Sequence, residues 1–312
     1  MSDGLPSFWA ALFLQAGYNT AVVTIGAALL GAAAGGIGCF VLLRKRALVS
    51  DAISHATFPG LALAFLVMAG LTGEGRWLPG LMIGAALSAA LGLWAVDALT
   101  RATRLPEDAA IGAVLSSFFG AGVVLMTVVQ GLPVGQQAGL SDYLLGATAG
   151  MLRSEAEVIA IAALVTGAAV FLLRRVFIVV AFDAEYAAVR GVNLRLADMA
   201  LMGLLLAVVV IGLKVAGLVL VVALTIIPPV TARFWTDRPE RMALISALFG
   251  AVCAWMGAVL SALGPALPTG ALIVLCAAGL FVLSLLFAPG RGAVAQVFAR
   301  ARQRRTLAGK QG

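Results

Sequence analysis

Apolar stretches of about 20 residues recur between residues 17 and 288, separated by short polar or basic clusters. About 20 residues is the length an α-helix needs to cross a hydrocarbon core of roughly 30 Å. In lipid every backbone N–H and C=O must be satisfied within the protein, so only helices and closed barrels span. The stretches lack the strict alternation of barrel strands. The predicted fold class is therefore all-α, a polytopic transmembrane helical bundle of eight or nine spans. Nine candidate spans lie at 17–43, 50–72, 77–100, 108–130, 156–173, 197–213, 217–235, 241–262 and 269–288. The 197–235 stretch reads either as two short spans or as a span plus a re-entrant segment, and Lys214 in its middle favours a turn near the far surface. Hydrophobic residues make up 62% of the chain and charged ones only 11%, which leaves no soluble domain. The 36 glycines suit close helix packing in lipid.

Basic residues settle the predicted orientation. With nine spans and the C-terminus inside, eighteen of the 21 lysines and arginines fall on the inner side, and only Arg76, Arg153 and Lys214 fall outside. That asymmetry follows the positive-inside rule. The net charge of +7 is thus a topology signal, and no nucleic-acid partner is expected. The chain divides into a lead-in at 1–16, a transmembrane domain at 17–290 and a basic cytoplasmic tail at 291–312. The lead-in lacks the charged n-region of a cleaved signal peptide. Cys39, Cys253 and Cys276 lie singly in apolar spans and are expected to be packing residues. Two connections exceed a turn. The outer one, 131–154, reads as a partly inserted half-helix; the inner one, 174–195, holds a short helix stopped by Gly191 that offers a docking surface to a soluble partner. Pro228-Pro229 is expected to break the seventh span, as a static kink or as a gate.

His55 is the single histidine of the chain. It follows the basic triplet Arg44-Lys45-Arg46 and stands four residues after Asp51, which puts carboxylate and imidazole on one helix face. A straight count from Arg46 places it roughly 13 Å inward, near the bilayer middle. Pro59 and Gly60 follow one turn later and predict a bend. Two readings stand side by side: Asp51 caps a helix and His55 is a satisfied core imidazole, or the pair binds a divalent cation such as manganese, iron or zinc. One His and one Asp cannot complete four to six ligands, so the second reading requires two protomers about a two-fold axis. Glu107 and Asp108 read as dipole-complementing residues at a helix start, and Asp97 as the partner of Arg101. No GxxxxGK[ST] loop occurs, so any ATP is handled by another subunit.

The run from Asp51 to Gly60 (DAISHATFPG) resembles the Asp-x-x-Ser-His-Ala-x-x-Pro-Gly signature of the manganese/zinc/iron-chelate permease family of ABC transporters. The segments 140–146, 182–191, 227–233 and 267–271 match the same family in order, although Pro228-Pro229 stands where the family more often has Pro-Ala. The resemblance implies an ABC importer permease in the plasma membrane, not itself an enzyme. It dimerises with an identical or paralogous permease, docks cytoplasmic ATPase subunits and receives its ion from an extracytoplasmic metal-binding protein. Asp51 and His55 would then be transient ligands of the transported metal, with no permanently bound cofactor. A coupling segment at 182–196 would present Asp183, Glu185, Ala187 and Gly191 to the ATPase, and Pro59, Gly60, Pro228 and Pro229 would shape kinks or gates. The competing expectations are an ABC permease for a metal chelate and a secondary metal transporter that works without an ATPase.

Overall fold

Small residues decide how the spans come together. The computed structural model describes residues 8–72, 77–131, 153–264, 267–289 and 292–293. Among them the chain forms helices α1 (Phe8–Leu12), α2 (Tyr18–Leu43), α3 (Val49–Thr72), α4 (Leu78–Ala102), α5 (Glu107–Gly131), α6 (Arg153–Phe182), α7 (Ala184–Val189), α8 (Leu194–Arg233), α9 (Pro239–Ser261) and α10 (Thr269–Phe287). Among the described residues eight helical segments are long and apolar enough to cross a membrane, and Gly217–Arg233 is a shorter apolar helix beside them.

α2 is the inner post of the bundle: 67% of its apolar window is buried, against 11% for α6. It packs on α9, α8 and α6. Gly31 of α2 meets Gly250 of α9 so closely that a methyl group on either would collide with the other's backbone. One turn on, the Ser246 hydroxyl donates to the Gly35 carbonyl at 2.6 Å. This is the small-residue contact that lipid favours, since lipid tails are as apolar as leucine and supply no hydrophobic drive between helices. The core grown around it includes Ile37, Phe40, Leu205 and Leu224, all fully buried. Leucines, valines and tryptophans such as Leu87, Leu91 and Trp94 of α4 face outward instead, as membrane-facing surfaces do.

One expectation is met here and another changes. α8 runs from Leu194 to Arg233 as one assigned helix, yet Gly217 has φ 74 and ψ 168, far from helical values. The chain reverses at this point. Gly212 lies against the Val221 side chain, although nine residues of straight helix would separate them by about 13 Å. The Leu194–Leu213 arm runs antiparallel to α2, with Asp198 at Arg44 and Gly212 at Leu30; the Gly217–Arg233 arm returns parallel to it, with Thr225 at Gly38. The predicted turn near Lys214 is thus realised as a helical hairpin. Conversely, the expected span at 156–173 extends to Phe182, and Arg174 and Arg175 lie inside α6. The apolar run from Val176 to Phe182 continues the helix, and long arginine stems tolerate such a place by carrying their charge outward. The connection that follows shrinks to α7 and its caps. The predicted half-helix at 131–154 and the basic tail fall almost wholly outside the described residues.

Gly31→Ala is expected to lower stability by about 1–3 kcal/mol through overpacking. Heating in mild detergent checks this by loss of the monodisperse peak. Gly203→Ala, where a methyl meets open space, should leave the profile unchanged.

Candidate functional site

The site begins with the turn that joins α2 to α3. α2 ends at Arg44, and Lys45 takes a left-handed conformation (φ 59) while its N–H bonds the Leu42 carbonyl. The two arginines flanking it are staples. Arg44 donates through Nη1 to the Val180 carbonyl at 2.8 Å and through Nη2 to both Asp198 oxygens at 2.8 and 2.9 Å. Arg46 pairs with Glu107 at 2.9 Å, and its Nη1 lies 3.9 Å from Asp198. One turn therefore fastens the end of α6 and the starts of α5 and α8, and it aims α3 into the bundle. Glu107, read as a dipole partner, is also an ion-pair partner. Asp198 and Val180 carried no signal in the sequence. The Asp97–Arg101 pair is present as expected, at 2.9 Å and well exposed.

Asp51 lies in the first turn of α3, and His55 one turn on. Their facing atoms, Asp51 Oδ1 and His55 Nε2, are 3.4 Å apart, with side chains 35% and 19% exposed. That separation is too long for a good hydrogen bond. It is close to the spacing of two ligands held about 2.1 Å from one four-coordinate ion, about 3.4 Å for tetrahedral geometry. Nδ1 of His55 is buried without a partner among the described residues, and the ring meets Phe119 of α5 edge-on at 5.0 Å. The reading of His55 as a satisfied core imidazole is not what this geometry presents. Among the described residues no group of three or more His, Cys, Asp or Glu side chains could enclose a metal. The pair brings together one carboxylate oxygen and one imidazole nitrogen.

His55 stands six residues into α3, about 9 Å along the helix. That is shallower than the straight count from Arg46, because residues 44–48 form a turn and gain no depth. Ser50, Ser54 and Thr57 are buried beside the pair, but each hydroxyl returns to a carbonyl near it on the chain, at Ala47, Ser50 and Ser54. Their protons bind the helix to itself. Pro59 lies within α3 and offers no N–H to the His55 carbonyl four residues back. Gly60 meets Gly84 of α4 at backbone contact. Pro228 and Pro229 lie within the returning arm of α8, which continues to Arg233, so the pair does not break it. Pro229 leaves the Thr225 carbonyl without its helical N–H, and that carbonyl abuts Gly38.

At the same end of the bundle, α7 is a single turn and a half. Asp183 caps it, accepting from the Tyr186 N–H at 2.9 Å, and Gly191 ends the segment with φ 79. Ala187 is fully buried and packs toward Val180 and Ala197. The four residues expected on one docking face thus divide: Asp183 and Gly191 shape the segment, Ala187 anchors it, and Glu185 is exposed. Tyr186 and Val189, exposed by 47% and 88%, complete the outer face; they lie within the matched segment 182–191 but are not among the four residues expected there.

The ABC 3 transport family model matches residues 18–288. The manganese transport system membrane protein MntC of Bacillus subtilis is 38% identical over 293 residues, which are 94% of this chain and 66% of that relative's length. The zinc transport system membrane protein TroC of Treponema pallidum is 36% identical over 285 residues, 91% of this chain and 94% of that protein. Among solved structures, PsaBC from Streptococcus pneumoniae in complex with Fab contains a chain similar to this one with a TM-score of 0.76 and 28% identity, covering 89% of this chain and 95% of that chain.

Asp198→Ala should cost about 1–3 kcal/mol by leaving a half-buried guanidinium without its carboxylate. Asp97→Ala, which opens an exposed pair, should cost under about 1 kcal/mol. Thermal unfolding of the two variants side by side checks the contrast.

Proposed function

The chain belongs to the ABC 3 transport family, and we propose that it is the membrane permease subunit of an ATP-binding cassette importer for divalent transition metal. Manganese is the first choice of cargo, with iron or zinc next. The observation that carries the reading is the Asp51–His55 pair, one carboxylate oxygen and one imidazole nitrogen 3.4 Å apart on a half-buried helix face. Oxygen plus imidazole suits borderline divalent ions better than copper(I), for which the described residues offer no organised thiol or thioether set. The transport of manganese and zinc named for the relatives supports the same class.

Two ligands do not hold an ion, so a second permease completes the site with its own pair. A two-fold dimer places four protein ligands around the axis. The metal is cargo, bound transiently and released as the pathway alternates between outward and inward access. The end of the bundle that carries Arg44, Arg46, Arg101 and Arg190 faces the cytoplasm, in keeping with the positive-inside rule. The C-terminus lies on that side and the membrane is the plasma membrane. ATP is bound by separate cytoplasmic subunits that dock on the outer face of α7, and an extracytoplasmic binding protein delivers the ion from the opposite side.

His55→Ala and Asp51→Ala are each expected to cut uptake of radiolabelled metal by about tenfold or more, since a lost metal ligand costs well over 1.4 kcal/mol. Cells carrying the complete transporter and supplied in turn with manganese, iron and zinc provide the measurement. Unchanged uptake would return the reading to a chelate carried in a cavity without protein ligands. Val189→Asp puts a charge on the outer face of α7 and should abolish co-purification of the ATPase while leaving the permease folded. Metal flux into vesicles that hold this chain alone would sink the ATP-driven reading.

A further inference from the structure

On the side of α2 away from the Asp51–His55 pair, helices α2, α6 and α9 leave an open groove of about 560 Å³. It exists because Gly36, Ala163, Gly167 and Ala247 are too small to fill the space between the three helices. The walls are apolar, and two ionic side chains line one end: Arg174 of α6 and Glu240 in the first turn of α9. α3, which carries the pair, packs instead on α4, α5 and α8. On the proposed dimer about the Asp51–His55 pair, this groove lies on the opposite side of α2 and faces the bilayer.

We propose that the groove seats one phospholipid with a primary-amine zwitterionic headgroup, of the phosphatidylethanolamine type. The length fits. From Arg174 to Ala160 the lining runs about 21 Å along α6, and one leaflet of the hydrocarbon core is about 15 Å deep. An acyl chain laid from the charged end inward covers the small residues, which otherwise leave a furrow that straight helices cannot close. The charges fit as well. Arg174 Nε and Glu240 Oε1 are 3.8 Å apart, beyond hydrogen-bond reach, with exposures of 29% and 62%. The guanidinium lies over the Phe171 ring at 4.0 Å and donates through Nη1 to the Phe171 carbonyl. It is thereby held at the mouth with donors to spare. A cation and an anion side by side, not closed on each other, match a phosphate and an ammonium carried on one headgroup. The ammonium of phosphatidylethanolamine donates hydrogen bonds to a carboxylate, which the trimethylated headgroup of phosphatidylcholine does not. An anionic phosphatidylglycerol leaves Glu240 facing negative charge.

The full-length chain is reconstituted with equal parts phosphatidylethanolamine, phosphatidylcholine and phosphatidylglycerol, re-extracted in mild detergent, and its retained lipid counted by native mass spectrometry. The wild type should keep phosphatidylethanolamine about fivefold over either competitor, the size of one net hydrogen bond. Glu240→Gln should keep lipid but lose the preference over phosphatidylcholine. Gly167→Leu fills the groove from a position where added atoms meet open space, and it should lower retained lipid to about a tenth with elution volume and helicity unchanged. The proposal is overturned by equal retention of the three lipids in the wild type, or by undiminished retention in Gly167→Leu. A photo-crosslinker at Leu164 that labels a protein chain and no lipid overturns it too. None of these readouts involves metal, so they stand or fall separately from the transport reading.

Discussion

The contact of α2 with α9 at Gly31 and Gly250 is the constraint from which the rest of the bundle follows. Water-soluble helices are driven together by apolar burial; spans in lipid need surfaces that fit. With two backbones in touch at this point, α2 becomes the post on which both arms of α8 lean, one on each side of Gly217. The turn after α2 then lands where Arg44 reaches Val180 and Asp198. Those bonds set the start and tilt of α3, and α3 carries Asp51 and His55. The Asp51–His55 pair is thus positioned by a chain of contacts that starts between three and four turns into the preceding helix, at Gly31.

The same post explains the division of surfaces. The α3 and α5 side offers a polar pair beside an aromatic ring, with His55 edge-on to Phe119. The α2, α6 and α9 side offers a small-residue furrow. One face carries half-buried polar atoms, and the other is an open apolar groove. A bundle with this asymmetry has a defined inside and outside in the plane of the membrane as well as across it.

Much of this was readable in the chain, and the limits are physical. Helix count, the Asp51–His55 face and the Asp97–Arg101 pair follow from local periodicity, which sequence expresses directly. Arg44 and Asp198 are 154 residues apart, and no period links them. Arg174 and Arg175 read as a border at the end of the 156–173 span, although the helix carries them through to Phe182. Ala187 matched a docking motif, yet it is the buried anchor of α7, while Tyr186 and Val189 hold the outer face. A motif marks which residues recur together; it does not separate those that touch a partner from those that hold the shape. A straight count from Arg46 exceeds the helical rise to His55, because residues 44–48 form a turn and α3 starts at Val49.

The reversal at Gly217 bears on how the bundle holds together. The arm Gly217–Arg233 has 17 residues, about 26 Å of helix, short of the roughly 30 Å that a lone span must cover. It also carries two prolines, which weaken a helix left without neighbours. Alone, such a segment is a marginal span. Packed against the Leu194–Leu213 arm and against α2, it gains the neighbours that a short, proline-bearing helix lacks. The two arms and the post are therefore one packing unit, and weakening any one of the three contacts weakens the other two.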